Sequence, residues 1–258
     1  MTKRLFENQV ILGDCLEKMK DIADDSIDLI LTDLPYGMTD CNWDNKINMK
    51  ILWFELTRIA KKNCVFAFTS KQPFTTHLVN SNFDMFKYEI IWKKSRGYDF
   101  FNAKTRIMQS HENILIFYNN KPVFNPQMRE NEKNKIYDYG KRKEDRVSNI
   151  YAITSKHSSK NYGKKLYPLS IIEIDELGTK SRIHPTQKPV ELFEYLIKTY
   201  SNEGDTVLDC CAGSGTTAIA CFNTNRRYIC IEKDTKYFEV MKERIKNHPQ
   251  KITEFVTQ

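Results

Sequence analysis

The sequence predicts an α/β protein built on a mostly parallel, doubly wound sheet with helices on both faces. Three observations carry that expectation. Short apolar segments bounded by turn residues alternate with segments of helical periodicity along most of the chain. One such apolar segment runs into a glycine-rich turn that opens a helix, Asp209-Cys-Cys-Ala-Gly-Ser-Gly-Thr-Thr-Ala. With 258 residues, 40% of them hydrophobic, the chain can bury an ample core without covalent or metal staples.

The elements follow in order. Val10-Ile-Leu-Gly-Asp reads as a short strand, and Cys15 to Ile22 as a helix with Leu16, Met19 and Ile22 on one face. Ile27-Asp-Leu-Ile-Leu-Thr is a buried strand that Pro35 and Gly37 stop at Asp33-Leu-Pro-Tyr-Gly. Met49 to Ala60 is amphipathic, Cys64-Val-Phe-Ala-Phe is an apolar strand, and Phe74 to Asn80 is a helix. Tyr88–Trp92 and Asn113–Tyr118 predict two further strands, joined by a basic, aromatic loop over 93–106. After the insertion described below come the helix Val190–Tyr200 and the strand Asp205–Asp209. The helix Thr216–Asn223, the strand Arg227–Glu232 and a last helix over Tyr237–Lys246 complete the order.

Between these halves the texture changes. Residues 121–183 are rich in Lys, Asn, Ser and Tyr with weak periodicity, which predicts a loop-rich insertion between a first half, 1–120, and a second, 184–258. The insertion carries 14 Lys and Arg against 8 Asp and Glu, most of the formal net charge of +7. Such an excess suits a polyanionic partner, and it equally suits an ordinary solvated surface. No apolar stretch is long enough to span a bilayer, and the first residues lack the apolar core of a signal peptide, so the expected setting is the cytoplasm. Seven cysteines without a CxxC pair or zinc-ligand spacing read as small buried hydrophobes, and no metal is expected.

The glycine-rich turn carries the first chemical signal. Gly213 and Gly215 let backbone approach a ligand, and the helix that follows offers free N–H groups. Gly213-x-Gly215-x-x-Ala218 also fits the dinucleotide fingerprint, with Glu232 about 20 residues on as a ribose partner. The motif therefore says "nucleoside cofactor" and leaves nicotinamide dinucleotides in play.

Asp33-Leu-Pro-Tyr discriminates. An aromatic amino group is a poor nucleophile because its lone pair is delocalised into the ring. A carboxylate and a backbone carbonyl that accept its two N–H hydrogens draw the nitrogen toward tetrahedral geometry and free that pair. Asp33 supplies the acid, Leu34 or Pro35 the carbonyl, and Tyr36 a ring on which a base can stack. A hydride-transfer enzyme has no use for this set.

The two motifs in this order resemble the β-class DNA amino-methyltransferases. In that family the catalytic motif comes first, the target-recognition region next and the cofactor motif last. The resemblance covers most of residues 8–120 and 183–246. It implies a circularly permuted, Rossmann-like S-adenosylmethionine-dependent methyltransferase fold with no metal, releasing S-adenosylhomocysteine. The catalytic residues it implies are Asp33, Leu34, Pro35 and Tyr36. The cofactor residues are Asp14 and Cys15 at the adenine, Pro185 and Lys188 of His184-Pro-Thr-Gln-Lys-Pro, and Glu232 on the ribose. Asp209, Cys211, Ala212, Gly213, Ser214, Gly215, Thr216 and Thr217 form the cofactor loop. Phe68-Thr-Ser-Lys-Gln resembles a pocket segment of the family.

Leu34 stands where the family has proline, and Cys210-Cys211 stand where it commonly has Pro-Phe. Asp33, where cytosine-N4 enzymes commonly have Ser, favours N6 of adenine in duplex DNA; cytosine N4, RNA and a non-catalytic nucleotide-binding module are the alternatives. Lys93, Lys94 and Arg96, and Lys141, Arg142 and Lys143 of the insertion, are the expected DNA contacts. The resemblance leaves room for a homodimer and for a companion restriction endonuclease.

Overall fold

The computed structural model describes residues 8–37, 47–98, 100–130, 165–176 and 187–249. The chain divides into two compact units, 1–125 with 170–258, and 126–169. The first unit holds an eight-stranded sheet. Its strands in chain order are β1 (Gln9–Leu12), β2 (Ile27–Thr32), β3 (Ala60–Ser70), β4 (Phe86–Tyr98) and β5 (Gln109–Phe117), then β8 (Ile171–Glu173), β9 (Thr206–Asp209) and β10 (Arg227–Glu232). In space the order is β1-β10-β9-β2-β3-β5-β4-β8. The run from β1 to β3 is parallel throughout. Strand β5 lies antiparallel between β3 and β4, and β8 closes the edge parallel to β4.

Alternation along the strands sends side chains to two cores. Leu29 and Leu31 of β2, Val65 and Ala67 of β3 and Val207 of β9 meet α4 (Val190–Tyr200), α5 (Thr216–Asn223) and α6 (Thr235–Lys246) on one face. Ile30, Phe66, Phe68 and Leu208 meet α1 (Cys15–Lys18), α2 (Met49–Ile59) and α3 (Phe74–Ser81) on the other. Central strands covered on both faces are apolar at almost every position, which is why Ile27–Thr32 reads as a continuous apolar run. Three helices start on side-chain caps: Asp14 accepts from the Leu16 N–H, Asn48 from those of Lys50 and Ile51, and Asp234 from those of Lys236 and Tyr237.

Two expectations are corrected. The segment 93–106 is not wholly a loop: β4 runs on to Tyr98, paired with Gln109 of β5. Its signal is masked because Lys94 takes the inward position after Ile90 and Trp92, so a buried cation breaks the apolar alternation. The insertion is also narrower than 121–183, because Phe124 packs its ring near that of Tyr200 and Ile171–Glu173 joins the main sheet. In the second unit the described residues form an antiparallel ribbon, β6 (Arg129–Glu130) with β7 (Lys165–Leu166), and Arg129 Nε donates to the Tyr167 carbonyl at 3.0 Å. Among the described residues no helix is long and apolar enough to cross a membrane.

Candidate active site

Neighbouring strands β9 and β2 lead in opposite directions, β9 through α5 to β10 and β2 through α2 to β3. Ligands of open α/β sheets bind outside the carboxyl ends of strands at such a switch point. Asp209 and Asp33 stand at those ends, and the Thr32 hydroxyl bridges the two strands by donating to Asp209 Oδ1 at 2.7 Å.

Asp33 is held on both carboxylate oxygens. The Tyr36 hydroxyl donates to Oδ1 at 2.8 Å, and the Thr69 hydroxyl at the end of β3 donates to the same oxygen. The Lys188 ammonium donates to Oδ2 at 2.6 Å. Lys188 is buried, and its Nζ also lies 3.4 Å from Glu112 Oε2. Burial disfavours its charge, yet the carboxylates of Asp33 and Glu112 outweigh this and hold its pKa above the ordinary lysine range. Burial likewise opposes the charge of Glu112, and Lys188 and Lys94 overcome it and hold that carboxyl below its usual value. Lys94 Nζ lies 2.6 Å from Glu112 and 2.8 Å from Glu176, completing a row of alternating charges.

Leu34 points into the core on the α1–α3 face and is only 2% exposed. The Leu34 side chain therefore serves packing. The half-buried Tyr36 ring stacks on Phe74 with centroids 5.0 Å apart. Burial and the nearby Asp33 charge push its hydroxyl well above the usual tyrosine pKa, which keeps it a donor.

On the other side of the switch point, Glu232 ends β10. Its Oε2 accepts the Gly213 N–H and its Oε1 the Asp234 N–H, both at 2.7 Å. Burial raises its pKa. A carboxylate is an acceptor-only group with more lone pairs than these bonds use, so the donor set of a ribose diol fits it. Gly213 and Gly215 both have positive φ. At Gly215 a Cβ would come within 2.6 Å of the Met241 side chain, so α6 packs against the back of the loop and requires glycine there. Ser214 is buried, and its carbonyl accepts from Arg244 Nη1 at 3.1 Å. Asp14 lies in the turn after β1, accepting the Leu16 N–H with Oδ1 and facing the exposed Lys233 ammonium with Oδ2.

The other predicted site residues make the following contacts within the protein. Asp209 is 3% exposed, and its carboxylate accepts from the Thr32 and Thr217 hydroxyls and the Cys211 N–H, so it ties the loop to the sheet. Burial pushes its carboxyl up to about 6. Lys94 is buried between two glutamates and the Trp92 and Tyr98 rings, and is not available to a phosphate. Lys93 and Arg96 are exposed, Lys93 paired with Glu173 at 2.8 Å. Lys188 touches Asp33 directly. Ala212 and Thr216 anchor the loop to its neighbours, the Ala212 N–H donating to the Ile231 carbonyl of β10 and Thr216 Oγ1 to the Lys188 carbonyl. Pro185, Lys141, Arg142 and Lys143 lie outside the described residues.

Spacing along the chain also conceals a long-range cluster. The Sγ atoms of Cys15, Cys210 and Cys211 all lie within 4.8 Å of one another, an arrangement that separations of almost 200 residues cannot announce. Hydrogen bonds within it lower the Cys15 thiol and raise the other two. Thr32 and Glu112 are further residues that sequence reasoning passed over. Glu112 sits on β5 opposite Trp92, and only the strand register brings it to Lys188.

With the site in view, comparison with known proteins is informative. The family model described as DNA methylase, N6_N4_Mtase, matches residues 27–243. The Type II methyltransferase M.HinfI of Haemophilus influenzae is 30% identical, over 93% of this chain and 69% of that protein. The crystal structure of the M1.HpyAVI–SAM complex superposes with a TM-score of 0.62 at 24% identity, covering 92% of this chain and 98% of that one. The PvuII DNA methyltransferase, named as cytosine-N4-specific, gives 0.62 at 16% identity, covering 96% and 91%. These two likenesses bear out the α/β methyltransferase fold. The family match spans both the Asp33 strand and the Glu232 strand: the chain belongs to the N6/N4 DNA methylase family.

Proposed function

We propose that this DNA methyltransferase transfers a methyl group from S-adenosylmethionine to N6 of adenine in duplex DNA, after flipping the base out of the stack. The observation that carries the reading is Asp33, fixed by Thr69, Tyr36 and Lys188 at the end of β2, one strand from the glycine loop after β9. Glu232 holds the ribose of the methyl donor, Asp14 its adenine, and the backbone from Cys211 to Thr217 forms its cradle.

When bound, the donor supplies a sulfonium methyl group as electrophile and leaves as S-adenosylhomocysteine. The chain's own residues prepare the nucleophile. Asp33 and a carbonyl at Leu34 or Pro35 accept the two N–H hydrogens of the target, and the freed lone pair attacks the methyl carbon in line. One N–H proton is then lost to water. The donor now on Asp33 Oδ2 is itself an ammonium, that of Lys188, so this oxygen accepts from nitrogen with suitable geometry. Tyr36 offers the flipped base its ring, and flipping itself costs about a few kcal/mol. Holding both reactants in place can contribute roughly 7–11 kcal/mol.

The end of the β4–β5 hairpin supports a duplex partner. Phe100 and Ile107 are largely exposed there and Phe101 fully so, with the cations Arg96 and Lys104 on the same hairpin. Apolar side chains that insert between base steps beside phosphate-binding cations suit a duplex from which a base must be removed.

The test is to incubate duplex DNA with methyl-labelled donor, digest it to nucleosides and identify the product by mass spectrometry. N6-methyladenine is expected. N4-methylcytosine would overturn the choice of base, transfer only to RNA the choice of nucleic acid, and transfer to neither the enzymatic reading.

A further inference from the structure

Cys15 opens α1 directly after β1, and Cys210 and Cys211 open the loop after β9. Their Sγ atoms lie within 4.8 Å of one another, Cys15 and Cys210 buried and Cys211 half-buried, all three unpaired by any disulfide. A thiolate–metal bond of about 2.3 Å places three sulfurs of one ion about 4 Å apart, so slight closure of this cluster would seat one. The donors are all sulfur, which selects thiophilic ions over magnesium or calcium. Three ligands are one short of the closed tetrahedral set of structural zinc, so the site suits an ion content with three thiolates or with one open position. A disulfide would use two of the sulfurs and leave the convergence of the third unexplained.

We infer that Cys15, Cys210 and Cys211 form a site for one soft, thiophilic cation, and that its occupation competes with the methyl donor. Binding replaces thiol protons, released to water, by sulfur–metal bonds and involves no change of oxidation state. The competition rests on the proposed function, because Asp14–Cys15 and Cys211 belong to the segments assigned there to the donor.

The experiment titrates the full, reduced chain with cadmium and follows the thiolate-to-metal charge-transfer absorption. Saturation at one equivalent is expected, with affinity lowered by at least about tenfold in Cys15→Ser and in Cys211→Ser. Cys64→Ser, a buried thiol elsewhere in the core, should leave the titration unchanged. Circular dichroism melting confirms that each variant is folded, and either of the first two variants suffices. Excess S-adenosylhomocysteine should weaken cadmium binding, and saturating cadmium should weaken binding of S-adenosylhomocysteine. No saturable band, a band that survives both variants, or a Cys15 disulfide found by mass spectrometry in protein purified without reductant would overturn the site. Cadmium and S-adenosylhomocysteine binding together would overturn the competition. Failure of S-adenosylhomocysteine to bind the metal-free chain would instead count against the donor assignment and leave the cation site standing.

Discussion

Replacing Lys188 by methionine keeps the aliphatic stem and removes the charge. The ammonium lies 2.6 Å from Asp33 and 3.4 Å from Glu112, and its side chain is 8% exposed. Breaking a buried ion pair by deleting one partner costs about 3–5 kcal/mol, because the remaining charge is stranded. Glu112 keeps Lys94 at 2.6 Å, and Asp33 keeps the Tyr36 and Thr69 hydroxyls, so the expected loss lies near the lower end, about 3 kcal/mol. For a domain of this size that is a fall of roughly 6–12 °C in Tm. The loss must also depend on pH with a definite sign. Glu112 has a lowered pKa in the folded chain, so its pairing stabilises above the unfolded carboxylate value and fades as pH falls through the folded one. Urea unfolding of wild type and Lys188→Met at neutral pH and near pH 4 measures both effects. The difference should shrink on acidification. A difference that is the same at both values would refute the electrostatic account and assign the effect to packing.

Further outcomes follow from the same geometry. Tyr36→Phe removes a hydrogen bond to a charged acceptor, worth about 1.5–3 kcal/mol, and should lower kcat by roughly 10–100-fold with DNA affinity nearly intact, whereas Tyr36→Ala should lose both; stopped-flow transfer and DNA titration separate the two. If Lys93 and Arg96 contact phosphates, their alanine variants should each reduce the salt slope of DNA binding by about 0.9, and Lys94→Met should leave that slope unchanged because its charge is buried. Asp209 has a raised pKa, so the folded chain holds that proton more tightly than the unfolded one. Stability therefore falls as pH rises from the unfolded carboxylate value to about 6, by on the order of 3 kcal/mol for this group. Asp209→Asn should remove that fall in urea titrations, and parallel pH profiles would contradict the assignment.

How much of this was legible in the sequence depends on the range of the interactions. The strands Ile27–Thr32 and Arg227–Glu232 and the helices Val190–Tyr200 and Thr216–Asn223 were readable to the residue, because local periodicity and turn residues define both ends. Asp33 and Glu232 were readable as strand-end acids, because motif and strand lie together in the chain. The row Asp33–Lys188–Glu112–Lys94 was not, since its members meet only through strand order and register. Lys94 shows the cost most plainly: in sequence it is one of several cations beside aromatics, and only the inward phase of β4 makes it an internal counter-ion. Asp209 was readable as the acid before the glycine loop, whereas its bond to Thr32 of β2 was not, since strand order alone brings the two together.

The central claim is that the Asp33 carboxylate acts on the target base and not on the methyl donor. Asp33→Ala separates the two when single-turnover methyl transfer to duplex DNA and calorimetric binding of S-adenosylhomocysteine are measured on the same preparation. Transfer lost to background with S-adenosylhomocysteine affinity within a few-fold of wild type is the predicted result. Transfer retained within a few-fold, or lost together with S-adenosylhomocysteine binding, would contradict it.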